Sequence, residues 1–452
     1  MKRQTTRVIT VFAAGALALA LTACGGSDQP ADPEKSPTEN NQTTEAPPPV
    51  DDLTADATAW ALTGGSEEVF RASFDRWNAA NPNATVQVEW FANDAYKEKI
   101  RTSVGSGNAP TLIFSWAGGT LADYVANGAV ADISDAVAPL LGRVLPSVAA
   151  NGQIGGQTYA VPNNQSQPVI LYYNQELFDQ AGATVPTTYE ELLDAVEKFK
   201  AIDVIPISLA GQSVWPELMY IQYLTDRVGG PEVFQAVLDG QADSWSDPAI
   251  TEALTKIQEL VDVGAFGNTY GSTAADGGAD TALVHTGKAA MVLQGAWVYP
   301  DFLNNAPEFV AAGNLGFANF PGVSGGKGDP ANIVGNPANF WSVSAADSPE
   351  AQATAAAYLS AEIYSDVQIG EFLAIGAVPP VVGIEDKIAS ADSPEYLTFV
   401  YDMVKNAPHF QLSWDQALPP AQAQPLLDNL AQIFLKQITP EQFVTNMNAT
   451  LG

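Results

Sequence analysis

Three tryptophans stand just past apolar runs, where an indole could serve as a plate for a ligand, and a fourth, Trp414, stands in a loop before the last helices. Trp116 follows the run 111–115 and precedes Ala117-Gly118-Gly119, and Trp215 follows the run 205–210 and Gly211. Trp297 closes Gln294-Gly295-Ala296-Trp297 after the run 289–293. An indole beside two glycines at the carboxyl end of a parallel strand points into the crevice where open α/β sheets bind ligands. Core packing suits such a residue as well, and at Trp116 both readings stand. Trp245, in a turn rich in Ser and Asp, reads as a surface cover.

Other chemistries are thinly supplied. The chain has two histidines, His285 and His409, each read as a surface residue, and one cysteine, so His and Cys metal clusters are excluded and no cofactor is expected. Gly322-Val323-Ser324-Gly325-Gly326 matches Gly-x-Ser-x-Gly with His409 downstream. A nucleophile elbow needs a strand running straight into the serine and a helix straight out of it, whereas Pro321 precedes and Gly328-Asp329-Pro330 follows. A glycoside hydrolase needs only two carboxylates about 5 to 10 Å apart, so it stays open as the alternative. Glu67 and Asp123 are its candidates near the crevice, although helix-start and helix-face roles suit them better. No Gly-x-x-x-x-Gly-Lys-Ser/Thr run exists, which excludes a nucleotide P-loop.

The elements that must position these residues follow α/β rules. A strand at 60–62, the turn Thr63-Gly64-Gly65-Ser66, a helix over 67–80 with Ser66 as its cap, and a strand over 85–90 build a parallel unit. A helix over 96–104 and a strand over 111–115 come next, then a helix over 121–127 and a hairpin over 153–162. The run 169–173 is apolar, β-branched and aromatic, hence a buried strand. A short helix opened by Asn174 or Gln175 follows it and ends at Gly182, where a left-handed residue is needed. Thr187 and Glu190 have capping-box spacing, and Leu192, Leu193, Val196 and Phe199 recur at helical spacing. Downstream come strands at 205–210, 289–293, 315–320 and 340–343, helices at 216–227, 231–238, 248–263 and 279–286, and helices from 349 onward.

The run 171–186 (LYYNQELFDQAGATVP) with 187–192, the block 287–297 (GKAAMVLQGAW) and, more loosely, 340–359 resemble motifs of the extracellular solute-binding proteins of sugar-importing ABC transporters, the family that includes maltose-binding protein. The resemblance covers residue 60 to the C-terminus. It implies an α/β, two-lobed periplasmic-binding-protein type II fold with discontinuous lobes joined by a hinge. One lobe would take 57–165 plus 313–375 and the other 166–312 plus 376–452. It further implies sugar binding in the cleft, closure on ligand, delivery to a permease and no catalytic step. Sugars present apolar C–H faces and hydroxyl edges, so the cleft needs aromatic plates and polar edge groups. Trp116, Trp215, Trp297 and Trp414 are the expected plates; Ser66, Glu67, Asn163, Gln167, Asn336 and Asn339 are the expected edge contacts. Gln167 stands where maltose-binding protein has an acidic contact, so the ligand need not be the same.

Composition agrees with an exported binder. Lys2, Arg3 and Arg7 precede the apolar run 8–21, too short for a comfortable membrane span, and Leu21-Thr22-Ala23-Cys24 follows. This reads as a signal peptide over 1–23 ending in a lipobox, with Cys24 lipidated and the protein held on the outer face of the cell membrane. A lone exported cysteine has no disulfide partner, which favours lipidation. Residues 24–56, polar, Pro-rich and free of aromatics, read as a tether spanning roughly 30 Å. The net charge of −32 argues against nucleic acid and suits a monomer kept in solution by its acids. A structural adhesin would more often be repetitive or all-β, and this chain of 452 residues shows no internal repeat.

Overall fold

The computed structural model describes residues 53–451. The expected signal peptide, the expected lipidation site Cys24 and the expected tether up to residue 52 lie outside the described residues. The tether's last residues already belong to the body. Asp56 accepts from the backbone and hydroxyl of Thr85, both at 2.8 Å, and Ala55 O accepts from Thr354 Oγ1 at 2.7 Å. No helix among the described residues is long and apolar enough to cross a membrane.

The strands in chain order are β1 (Ala57–Leu62), β2 (Val86–Phe91), β3 (Leu112–Ser115), β4 (Gln153–Ile154), β5 (Gln157–Thr158), β6 (Val161–Pro162), β7 (Gln167–Asn174), β8 (Ile205–Ser208), β9 (Ala289–Gly295), β10 (Leu315–Ala318), β11 (Ile333–Asn336), β12 (Phe340–Val343) and β13 (Phe410–Leu412). Two sheets organise them. The first runs β2-β1-β3-β12-β6, with β1, β2 and β3 parallel and β12 antiparallel to β3. The second runs β13-β11-β7-β9-β8, with β10 also paired to β7. The hairpin β4-β5 stands apart.

β7 is the spine of the second sheet, and all but one of its eight residues are buried. A strand covered on both faces needs such a continuous apolar run. One face packs on Phe178, Leu192, Val196 and Phe199, while on the other Tyr172 Oη lies 2.7 Å from Tyr396 Oη of the helix Pro394–Asn406. Asn174 caps the next helix by accepting from Leu177 N at 3.2 Å, and Gly182 ends it at φ 59°. Two caps differ from expectation. Thr188, not Thr187, caps the helix Tyr189–Ala201, while Thr187 gives its N–H and hydroxyl to Glu191 Oε2. Ser66 stands at the N-cap of Glu67–Ala80, but its hydroxyl donates to Gln165 Oε1 at 2.7 Å instead of capping.

The lobe boundaries also change. β10 and β11 hydrogen-bond to β7, so residues 313–336 belong to the second lobe and the return crossing lies at 337–339 instead of 313. The chain passes between the lobes at 163–166 and 337–339, and these crossings are bonded to each other and to the segment 375–381, which stays on the first lobe, where Leu145 N donates to Pro380 O. Asn163 N donates to Asn339 O, Asn339 N to Asn164 Oδ1 and Ser166 N to Val378 O, each at 2.8 Å. Gly335, at φ 138°, is required here because a Cβ would come within 2.2 Å of Gln167 O.

Candidate ligand-binding cleft

The carboxyl ends of β1, β3 and β9 and the start of β7 face a cavity of about 340 Å³ lined from both lobes. It shares Lys97, Phe114, Trp116, Trp215, Asp415 and Gln416 with a second chamber of about 930 Å³ that lies beside it. Both volumes fall in the usual range for ligand sites.

Three indoles meet there. The rings of Trp215 and Trp297 lie 5.8 Å apart at 59°. Lys97 Nζ sits 5.2 Å from the ring centre of Trp116 and 5.6 Å from that of Trp215, drawing the first lobe's indole and the second lobe's to one cation. Trp116 is held edge-on by Tyr96 and Phe114, with 8 % of its surface left open.

The lobes are shut on each other. Asp94, in the helix Asn93–Gly105 of the first lobe, accepts from Ser213 Oγ at 2.9 Å and from Trp215 Nε1 at 3.2 Å, while its own N–H donates to Asp276 Oδ2 at 3.2 Å. At Gly118 and Gly119 the backbones touch so closely that a Cβ would lie 2.1 Å from Gln416 O and 2.2 Å from Leu418 O.

Seven expected site residues line this cleft: Ser66, Trp116, Gln167, Trp215, Trp297, Asn336 and Asn339. Three do not. Trp414 is 1 % exposed and stacks on Phe234 at 4.1 Å and 5°, with Trp245 edge-on at 5.8 Å. Its indole is therefore core of the second lobe, and Trp245, fully buried, is core with it instead of a surface cover. Glu67 turns away, accepting from Gly64 N and pairing with Arg71 one helical turn on. Asn163 is fully buried in the hinge, where its N–H serves Asn339 O.

Sequence reasoning missed the charged part of the lining. Asp276, Asp280, Asp301 and Asp415 line the first chamber together with Lys97. Burial pushes the carboxyls of Asp280 and Asp301 up to about 6 and raises those of Asp276 and Asp415, the latter against the pull of Lys97. Gln294 Nε2 donates to Asp280 Oδ2 at 2.6 Å, and Thr281 N donates to Oδ1 at 2.9 Å. Gln294 lies inside the GKAAMVLQGAW block and Gln165 inside the run 163–167, so the signal was two or three residues from those chosen.

The Gly-x-Ser-x-Gly run is a packed loop. Ser324 Oγ donates to Glu190 Oε2, and a Cβ at Gly326 would meet Arg227 O at 2.0 Å. His409 bonds Gln411 instead. Among the described residues no group of His, Cys, Asp and Glu could hold a metal ion.

A hinged pair of lobes closed over indoles, amides and carboxylates defines a ligand-binding receptor. The chain belongs to the bacterial extracellular solute-binding protein family, whose pattern matches residues 63–364. This is a family of binding proteins, not enzymes, which sets aside the hydrolase alternative. An ABC transporter extracellular-binding protein of Pyrococcus horikoshii is 24 % identical over 301 residues, 64 % of each chain, so the match spans just under two thirds of that relative. A probable sugar-binding periplasmic protein of Mesorhizobium japonicum is 24 % identical over 80 % of this chain and 84 % of its own. A structure from work on xylan utilization by Caldanaerobius polysaccharolyticus superposes with TM-score 0.79 at 31 % identity, covering 88 % of this chain and 100 % of the other. The GacH receptor of Streptomyces glaucescens, at 23 % identity and TM-score 0.70 over 88 % and 97 % of the two chains, shares the two-lobed fold.

Proposed function

We propose that this protein is the extracytoplasmic receptor of a carbohydrate ABC importer, binding an oligosaccharide between its lobes and presenting it, closed, to the permease. The observation that carries this reading is the meeting of Trp116, Trp215 and Trp297 with the amides of Gln165, Gln167, Asn336 and Asn339 along one cleft. Indole faces suit the C–H faces of pyranose rings, and amides suit hydroxyl edges. A second chamber adjoining the first along Trp116 and Trp215 suits several sugar units better than one. The printed names of the Mesorhizobium relative and of other relatives point the same way. Cys24, the chain's lone cysteine, standing directly after Leu21-Thr22-Ala23, supports a lipid anchor, with the polar residues up to 52 as the tether of a monomer.

Calorimetric titration with xylo-, malto-, cello- and chito-oligosaccharides tests the reading. Saturable binding without release of reducing ends is expected; turnover of any sugar, or no binding across the panel, overturns it. Metabolic labelling with a fatty acid, compared between the wild type and Cys24→Ser, tests the anchor, and label retained by the variant would remove Cys24 as its site.

A further inference from the structure

We infer that the cleft discriminates by charge: it takes saccharides that present hydroxyl or ammonium donors and rejects those carrying a carboxylate. This rests on the carbohydrate reading above and narrows it to neutral and amino sugars against uronates.

Two independent observations support it. The first is charge. Four carboxyl groups, Asp276, Asp280, Asp301 and Asp415, line the first chamber, and Lys97 is the one basic side chain among its described lining residues. Lys97 is itself engaged, 4.0 Å from Asp415 Oδ2 and over two indole faces. A carboxylate entering this space would meet like charges with solvent excluded, where repulsion is least screened.

The second is the sense of the hydrogen bonds left unmade. Gln294 Oε1, Asn336 Oδ1 and Asn339 Oδ1 are acceptors without a partner, on side chains 1 %, 8 % and 6 % exposed. At Gln294 the orientation is fixed, because Nε2 is committed to Asp280 Oδ2 and the carbonyl oxygen must therefore be the free end. Among the donors, Trp215 Nε1 is already given to Asp94, Ser66 Oγ to Gln165 and Gln416 Nε2 to Asp415, while the amide nitrogens of Gln165, Gln167, Asn336 and Asn339 remain to serve a hydroxyl oxygen. A buried acceptor left unpaired is costly, so a ligand gains most by bringing O–H or N–H groups to these atoms. A carboxylate brings only acceptors.

Asp280 is thus a positioning residue, fixing which end of the Gln294 amide is left unpaired in the lining. Asparagine at 280 could donate as well as accept and would release the glutamine to turn over.

The test uses matched trisaccharides titrated into the full-length protein at pH 7.5: an α-1,4 glucan, a β-1,4 glucan and a β-1,4 xylan set, each as the neutral sugar, a uronate-bearing counterpart and, for the glucans, a counterpart with an amino group at C2. In whichever set binds, the uronate is expected to bind at least 30-fold more weakly than the neutral sugar, and the amino sugar at least as tightly as one tenth of it. In Asp301→Asn and Asp280→Asn the ratio of neutral to uronate affinity should fall by about tenfold. A wild-type ratio below 30, or a ratio unmoved in both variants, overturns the charge-selection inference while leaving carbohydrate binding intact. Absence of binding in every set overturns the carbohydrate reading itself, and this inference with it.

Discussion

The indole N–H of Trp215 donates to Asp94 Oδ1 across the cleft, so one of the aromatic plates is fastened to the opposite lobe before any ligand is considered. The same carboxylate takes Ser213 Oγ, which makes Asp94 a latch as well as a wall. Replacing it by alanine removes both acceptors while leaving the indole in place. Stopped-flow fluorescence should then show sugar dissociating about tenfold faster or more, with association little changed. An unchanged dissociation rate would mean that these bonds do not hold the closed form.

Trp297→Ala should weaken binding of the best panel sugar by roughly 10–100-fold, because it removes the indole facing Trp215 at 5.8 Å. Far-ultraviolet circular dichroism should be unaltered. Calorimetry showing an unchanged dissociation constant would remove Trp297 from the site.

Trp414→Ala should behave in the opposite way. Its ring is sandwiched between Phe234 and Trp245 in the core, so truncation is expected to cost about 3–5 kcal/mol of stability in denaturant unfolding. A loss below about 1 kcal/mol would contradict the core assignment.

Gly119→Ala addresses closure without touching a ligand. The new Cβ would meet Leu418 O at 2.2 Å only when the lobes are shut, so the open form should tolerate it. The variant should keep its thermal midpoint in the absence of sugar yet bind at least tenfold more weakly. Small-angle scattering that shows the same compaction on adding sugar as in the wild type would refute this.

The buried acids predict a pH dependence of stability. Burial raises Asp280 and Asp301 from 3.8 to about 6, and Glu217 from 4.5 to about 8. Because each folded value lies above its unfolded one, the folded chain holds more protons in that window, and stability falls as pH rises through it. The unliganded protein should be more stable near pH 5.5 than near pH 8.5, by several kcal/mol if Glu217 acts alone. Glu217→Gln should flatten the upper part of that profile, and an identical slope in variant and wild type would exclude Glu217 as its source.

Much of this was legible in the sequence where local rules and tertiary demands coincide. The run 169–173 reads as a buried strand because its sheet needs apolar side chains on both faces, and Asn174 and Gly182 punctuate it with chemistry that only helix ends require. β11 and β13 escaped notice because they are only four and three residues long, and β11 includes Gly335, whose presence reports a close backbone contact instead of strand propensity. The placing of β10 escaped too, since pairing with β7 is a long-range choice with no local mark. In the cleft, indoles after strands led to Trp116, Trp215 and Trp297, which line it, whereas Trp414, taken from its position in the resembled family, is core. The lining acids were invisible because an aspartate near a helix start, such as Asp280, looks like ordinary helix-terminal chemistry until its long-range partner Gln294 is seen beside it.

The three chain segments bonded together at the hinge, 163–166, 337–339 and 375–381, have a further consequence. A protease that nicks any one of them leaves the two halves joined at two others, so the cut protein should still run as one particle under native conditions. Joints so bonded are expected to resist shear more than rotation, so the swing that admits a guest should follow one track.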